Sequence, residues 1–184
     1  MSQRSRASRA MPAAVDSAVM QAVFHPRSVA VVGASTNPDS PGHDYVRSLL
    51  DFGCHGVIYP VNPRTPELLG LRAYPGLRDV PGQVDYVISC IPSEGVLDLI
   101  EECRGKETKA LQLFTGRFSE TGRREGARLE AELMRRARAA GLRIIGPNCM
   151  GVTTRPAGCR SGPTCRRSRA ARPSSPRVAT TPSS

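Results

Sequence analysis

The segment Gly33-Ala34-Ser35-Thr36-Asn37-Pro38-Asp39-Ser40-Pro41-Gly42-His43-Asp44 follows an apolar run and leads into a helical pattern. Glycine lets a backbone approach a ligand closely, and free N–H groups at a helix start face an anion. The chemistry on offer is therefore phosphate or pyrophosphate binding. A tight strand-to-helix turn with no ligand uses the same residue types, so the loop alone does not decide. Its spacing is not Gly-x-Gly-x-x-Gly, because Ala34 and Ser35 follow Gly33 and the next glycine is Gly42. Dinucleotide sites also place an acid at the end of the second strand to grip the ribose hydroxyls. Here that position reads Val61-Asn62-Pro63-Arg64, with a cation and no acid. A guanidinium favours a ligand with an extra phosphate on its ribose side, as in coenzyme A with its 3′-phosphate, or NADP.

Other chemistries find little support. The histidines are His25, His43 and His55, all in the first third of the chain. None of the six cysteines forms a Cys-x-x-Cys pair, so neither a zinc site nor a redox dithiol is indicated. Free thiols in a reducing cytoplasm are the expectation. No apolar run reaches the ~18 residues of a membrane span.

The net charge of +10 suggests nucleic acid until its distribution is read. Residues 1–12 hold three arginines and residues 153–184 hold seven, with no acid in either stretch, so the middle is neutral. Arginine outnumbers lysine by 24 to 2, which points to a GC-rich gene rather than a binding surface. Neither nucleic acid nor membrane is an expected partner. The first 13 residues are rich in Arg and Ser, as transit peptides are, but have no apolar core. A disordered leader, or a start site placed too early, is the reading there.

Positioning such a loop requires strands and helices in alternation, and the chain supplies them. Five apolar, β-branched runs (28–35, 56–63, 85–92, 110–116 and 142–148) read as strands buried on both faces of a parallel sheet. Each ends in Gly, Pro, Ser or Asn and so runs into a loop. Between them, residues 43–53 place Tyr45, Val46, Leu49 and Leu50 on one helical face. Residues 93–105 start on Ser93 as a plausible N-cap and bury Val96, Leu97 and Ile100. Residues 122–141 carry Leu129, Leu133 and Met134 inward. Asp16 caps a short helix ending near Val23. The proline-rich link from Asn62 to Asp85 is expected to hold one or two short helical turns beside the ligand crevice. The fold class is α/β, a Rossmann-like, doubly wound, mostly parallel five-stranded sheet over residues 14–152, with disordered ends.

Five motifs, "FHPRSVAVVGAS", "YPVNPR", "CIPSE", "FTGRFSETG" and "IGPNCMGV", occur in order and at suitable spacing between about residues 20 and 152. Jointly they resemble the N-terminal coenzyme A-binding domain of the NDP-forming acyl-CoA synthetases. These are the ADP-forming acetate–CoA ligases, relatives of the succinyl-CoA synthetase α subunit. The resemblance implies that Gly33, Ala34 and Ser35 cradle the coenzyme A phosphates. Arg64, where the family often has lysine, meets the nucleotide end, with Asn62 and Pro63 shaping the turn. Ile91, Pro92, Phe114, Thr115 and Gly116 line the cleft along the rest of the coenzyme. Pro147, Asn148 and Cys149 close the domain near the reacting thioester, Cys149 as a small packed thiol and not a nucleophile.

The family makes acyl-CoA from an acid, CoA and ATP, or runs the reverse, through an acyl phosphate and a phospho-histidine. That histidine lies in the next domain, and a separate ATP-grasp module holds the nucleotide. None of this chain's histidines matches the phospho-histidine position. The resemblance thus implies a cytoplasmic coenzyme-binding piece without catalytic residues of its own, and no metal site. The rival readings are a free-standing coenzyme- or nucleotide-binding regulatory protein and an NADP-dependent oxidoreductase fragment.

Residues 153–184 have charge without aromatics for stacking, and two cysteines that suit no linker. Back-translated from Thr153 and read one base out of step, they allow "VYNP", three variable residues, then "LSFRPDLPPEPGRPAFLSQSGNNAVE". That string resembles the family's continuation into its second domain. The expectation is an Arg/Pro/Ser-rich, disordered tail produced by a frameshift at about Val152–Thr153, with its arginines as by-products of codon content.

Overall fold

A computed structural model describes residues 17–152. The capping role of Asp16, the leader and the out-of-frame tail all lie outside the described residues.

Helix α1 (Ser17–Phe24) leads into β1 (Ser28–Val32), and α2 (Pro41–Asp51) returns the chain to β2 (Val57–Val61). A two-stranded antiparallel hairpin follows, β3 (Glu67–Leu68) with β4 (Leu71–Arg72), and then a single 3₁₀ turn at Leu77–Asp79. The alternation resumes with β5 (Tyr86–Ser89), α3 (Val96–Gly105), β6 (Ala110–Leu113), α4 (Arg124–Ala139) and β7 (Arg143–Ile145). The link over 62–85 therefore holds one helical turn, as expected, and a hairpin that was not. Its strands are two residues long, too short for alternation to register.

The main sheet is parallel throughout, in the order β2-β1-β5-β6-β7. The chain winds one way from β1 to β2 and the other way from β1 to β5 onward. The switch point thus falls between β1 and β5. Strand alternation assigns the two faces. Val29, Val31, Tyr86 and Ile88 pack under α1 and α2 with Val23, Tyr45, Val46 and Leu49. Ala30, Val32, Val87, Leu111 and Leu113 pack under α3 and α4 with Val96, Leu99, Ile100, Cys103 and Leu133.

The expectation that all five strands are buried on both faces holds for β1, β5 and β6 and fails at the two edges. Val57 on β2 is 55% exposed, and β7 has no fully buried residue. Edge strands have helices over less of their surface. Pro60, which lacks an N–H, is tolerated at such an edge.

Helix α2 begins at Pro41, two residues earlier than the hydrophobic pattern showed. Ser40 is its N-cap, accepting the His43 N–H at 3.3 Å, and proline sits at the first helical position. Leu50 points outward at 40% exposure, because the buried stripe runs through Tyr45, Val46 and Leu49. In α3 the fully buried side chains are Val96, Leu99, Ile100 and Cys103, while Leu97 is half-buried. Ser93 opens a 3₁₀ turn without making a side-chain cap. In α4, Leu133 is buried, and Leu129 and Met134 pack against the core as half-buried neighbours.

At the opposite end of the sheet from the switch-point loops, Arg27 clamps the start of β1 to the start of β5. Its main-chain N–H, Nε and Nη2 all donate to the Asp85 carboxylate, at 3.0, 3.0 and 2.9 Å. These charge-assisted bonds hold the Asp85 carboxyl below the usual carboxylate range.

Candidate functional site

Beyond the carboxyl ends of β1 and β5, at the switch point, lies an open cleft of about 610 Å³. One wall is the loop after β1, with Gly33, Ala34 and Ser35. The second is the loop after β2, with Asn62, Pro63 and Arg64. The third is the segment after β5, with Cys90, Ile91 and Pro92. The structure therefore brings eight of the twelve residues singled out in the sequence around one space.

The cleft's shape follows from local constraints. Gly33 has φ +87, and a Cβ there would stand 2.9 Å from the Cys90 carbonyl carbon, so neither its conformation nor its space suits another residue. The N–H groups of Gly33 and Ala34 both donate to the Val61 carbonyl, at 3.1 and 3.2 Å, which folds the loop back toward β2. Asn62 ties the two loops together: its Nδ2 donates to the Ala34 carbonyl at 2.6 Å, and its Oδ1 accepts the Arg64 N–H at 2.8 Å. This Asx turn leaves the Arg64 side chain exposed, and no hydrogen bond or ion pair among the described residues engages its guanidinium.

Helix α2 meets the loop closely. A Cβ on Gly42 would lie 2.0 Å from the Gly33 carbonyl oxygen, so this glycine allows the helix start to sit against the strand end. His43, buried in the first turn of α2, places Nδ1 2.9 Å from the Ser35 carbonyl and Nε2 2.8 Å from Arg47 Nη2. Arginine only donates, so Nε2 accepts and Nδ1–H donates to the loop. The sequence gives no hint of this brace beyond a histidine at a helix start.

Phe114, Thr115, Gly116 and Asn148 do not line the cleft. They form a second row along the same sheet edge, on the loops after β6 and β7. The Thr115 hydroxyl donates to the Ile91 carbonyl, which joins this row to the cleft wall. The Asn148 N–H donates to the Thr115 carbonyl at 3.1 Å, and Gly116 lies beside the Asn148 side chain. The Phe114 ring meets Tyr45 edge-on, with centroids 5.8 Å apart. Asn148 itself has φ +54, a conformation asparagine tolerates better than most residues.

Several lining residues escaped the sequence reading. Pro75, Gly76 and Leu77 belong to the proline-rich link that was placed beside the crevice without naming positions. Asp98, Leu99 and Glu102 come from α3, where two acids four residues apart look like any solvated helical face. Glu102 also pairs with Arg78 at 3.6 Å. One cation, Arg64, therefore stands on the β2-loop wall of the cleft, and the carboxylates of Asp98 and Glu102 on its α3 wall. Burial pushes the Cys90 thiol up to about 12, so it lines the cleft as a protonated, unreactive group. Cys149 is half-buried, with Sγ 3.8 Å from the Gly151 carbonyl. A second cleft, of about 490 Å³, is lined by Ser93, Glu94, Arg117 and Arg123 among others. Among the described residues no group of three or more His, Cys, Asp or Glu side chains is placed to hold a metal ion. Among the described residues no helix is long and apolar enough to cross a membrane.

A parallel doubly wound sheet with a glycine-built loop and an open cleft at its switch point defines the class of Rossmann-like ligand-binding domains. Residues 27–155 match the family described as the CoA binding domain, and the chain belongs to that family. It is 41% identical over 129 residues to the α subunit of ADP-forming acetate–CoA ligase II from Pyrococcus furiosus, a match that covers 70% of this chain and 28% of that protein. Its structure resembles the dinucleotide-forming acetyl-coenzyme A synthetase 1 of Ca. Korarchaeum cryptofilum, solved with phosphate and ADP, at a TM-score of 0.68 and 41% identity, over 72% of this chain and 28% of that one. It also resembles a conserved hypothetical protein from Pyrococcus furiosus at a TM-score of 0.51 and 30% identity, over 64% of this chain and 90% of that one. The chain thus spans under a third of the length of the ligase relatives it matches.

Proposed function

We propose that the chain binds coenzyme A, as a substrate, in the cleft between β1 and β5, and that it is the coenzyme-binding part of an ADP-forming acyl-CoA ligase. The observation that carries the reading is Arg64. Among the described residues no hydrogen bond or ion pair engages its guanidinium, and it lines the cleft with the Gly33–Ser35 loop, at the strand end where a dinucleotide site would carry an acid. Coenzyme A presents a 3′-phosphate to such a cation and a diphosphate to such a loop.

In this reading Gly33, Ala34 and Ser35 contact the diphosphate, Gly33 and Ala34 by close backbone approach because the Val61 carbonyl already takes their N–H groups, and Arg64 takes the 3′-phosphate on a turn shaped by Asn62 and Pro63. Ile91 and Pro92 guide the start of the pantetheine arm. Phe114, Thr115, Gly116 and Asn148 receive its thiol end on the second row. These residues bind and orient, and none of them transfers phosphate. Acyl-phosphate formation, a phospho-histidine and an ATP-grasp module belong to other parts of the enzyme.

Thermal unfolding of the chain with added ligands tests this directly. At saturating coenzyme A the melting temperature should rise, because a ligand at about 100 times its Kd stabilises a fold by ~2.7 kcal/mol. With acetyl-CoA, ADP and phosphate the chain alone should form no ATP. A rise with NAD and none with coenzyme A refutes the site, and ATP formation by the chain alone refutes the division of labour. A second reading, a free-standing coenzyme-binding protein, is favoured by the short relative of which this chain covers 90%. An open frame one base out of step that runs from codon 152 into a second domain would decide for the ligase.

A further inference from the structure

Gln112 is a polar side chain at zero exposure on β6, lying on the α1/α2 face between Tyr45 of α2 and Tyr86 of β5. Its Nε2 donates to the Tyr45 hydroxyl at 2.9 Å and to the main-chain carbonyl of Cys149 at 3.3 Å. The Tyr45 hydroxyl donates to that same carbonyl at 3.2 Å, and the Tyr86 hydroxyl donates to Gln112 Oε1. A carbonyl oxygen only accepts, so the amide must turn its nitrogen toward Cys149 and its oxygen toward Tyr86. The same loop is tied from the other side. The Cys149 N–H donates to the Leu113 carbonyl at 2.9 Å, and the Asn148 N–H to Thr115.

An apolar side chain of similar size would fill the position without desolvating an amide. A buried amide with this many partners fixes geometry more than it adds stability. What it fixes is the loop between Gly146 and Gly151, which the two main-chain bonds just named also hold.

We propose that Gln112 and Tyr45 are positioning residues that pin the Cys149 carbonyl, holding the loop and Asn148 where the thiol arm of bound coenzyme A ends. The proposal rests on the coenzyme A reading above. The nucleotide end of the ligand meets Gly33–Ser35 and Arg64, which do not depend on the pin, so its loss should be felt by the arm alone.

The test uses the full 184-residue chain and the variants Tyr45→Phe and Gln112→Met. The ligands are coenzyme A and adenosine 3′,5′-bisphosphate, which has the nucleotide end without the arm. Amide hydrogen exchange at Asn148 and Cys149 is read in parallel. In Tyr45→Phe, which keeps the ring in place, coenzyme A should bind about fivefold more weakly, as expected for one lost neutral hydrogen bond, while the bisphosphate changes less than about twofold. Both amides should exchange about tenfold faster. Gln112→Met should move both readouts the same way, and Tyr45→Phe alone serves if it does not fold. Equal weakening of the two ligands marks a merely structural role and overturns the proposal, as does unchanged exchange. If the parent chain binds neither ligand, the coenzyme reading fails, and the exchange rates alone decide whether the loop is pinned.

Discussion

Gly33 and Arg64 serve the same cleft by opposite means, one by lacking a side chain and the other through the end of a long one. Replacing Arg64 with Ala should weaken coenzyme A by ~10-fold, as expected for loss of a charge-assisted contact to phosphate, and leave dephospho-coenzyme A almost unchanged. Calorimetric titration of both ligands checks this, and equal losses would remove Arg64 from the 3′-phosphate. Arg64→Lys should retain much of the affinity, since the charge remains. Arg64 was legible in the sequence because a missing acid at a strand end is a visible signal. The His43 brace and the acids of α3 were not legible. A histidine in a first turn and two carboxylates four apart are common on helices, and only the fold reveals what they face.

At the scale of elements, the start of α2 is the most constrained joint. Gly42→Ala would push a methyl carbon to within 2.0 Å of the Gly33 carbonyl oxygen. The helix start or the loop must move, at about 1–3 kcal/mol of stability by the usual cost of overpacking. Urea unfolding should show this loss, and wild-type stability would mean the joint is loose. The clamp between β1 and β5 predicts a pH signature. Arg27 holds the Asp85 carboxyl below its ordinary value, so the clamp's contribution is present above the unfolded carboxylate pKa of about 3.9 and is lost as pH falls through the lower folded value. Asp85→Asn should therefore melt several degrees below the parent chain at pH 7, with the gap narrowing below about pH 4. A gap that is constant with pH would contradict the clamp. The strands of the sheet centre were legible because apolar residues run continuously through β1, β5 and β6. The β3–β4 hairpin and the exposure of Leu50 were not. Two-residue strands have no period to detect, and the exact rotation of a helix is set by packing against its sheet.

For the whole molecule, the strand order places the switch point, and the switch point places the cleft, where eight of the twelve residues expected at the site come together. The remaining four stand on the next two loops, after β6 and β7, a separation that motif spacing does not encode because loops of equal length can turn either way. Sequencing the gene across codon 152 is expected to show an open frame one base out of step that continues into a second domain. A stop within a few codons in that frame would end this reading of residues 153–184. The most direct measurement of the central claim is isothermal titration of the full chain with coenzyme A, NADP and NAD under one buffer. The account predicts saturable binding of one coenzyme A per chain, with NADP much weaker and NAD undetected. Saturable NADP binding with none of coenzyme A would contradict it.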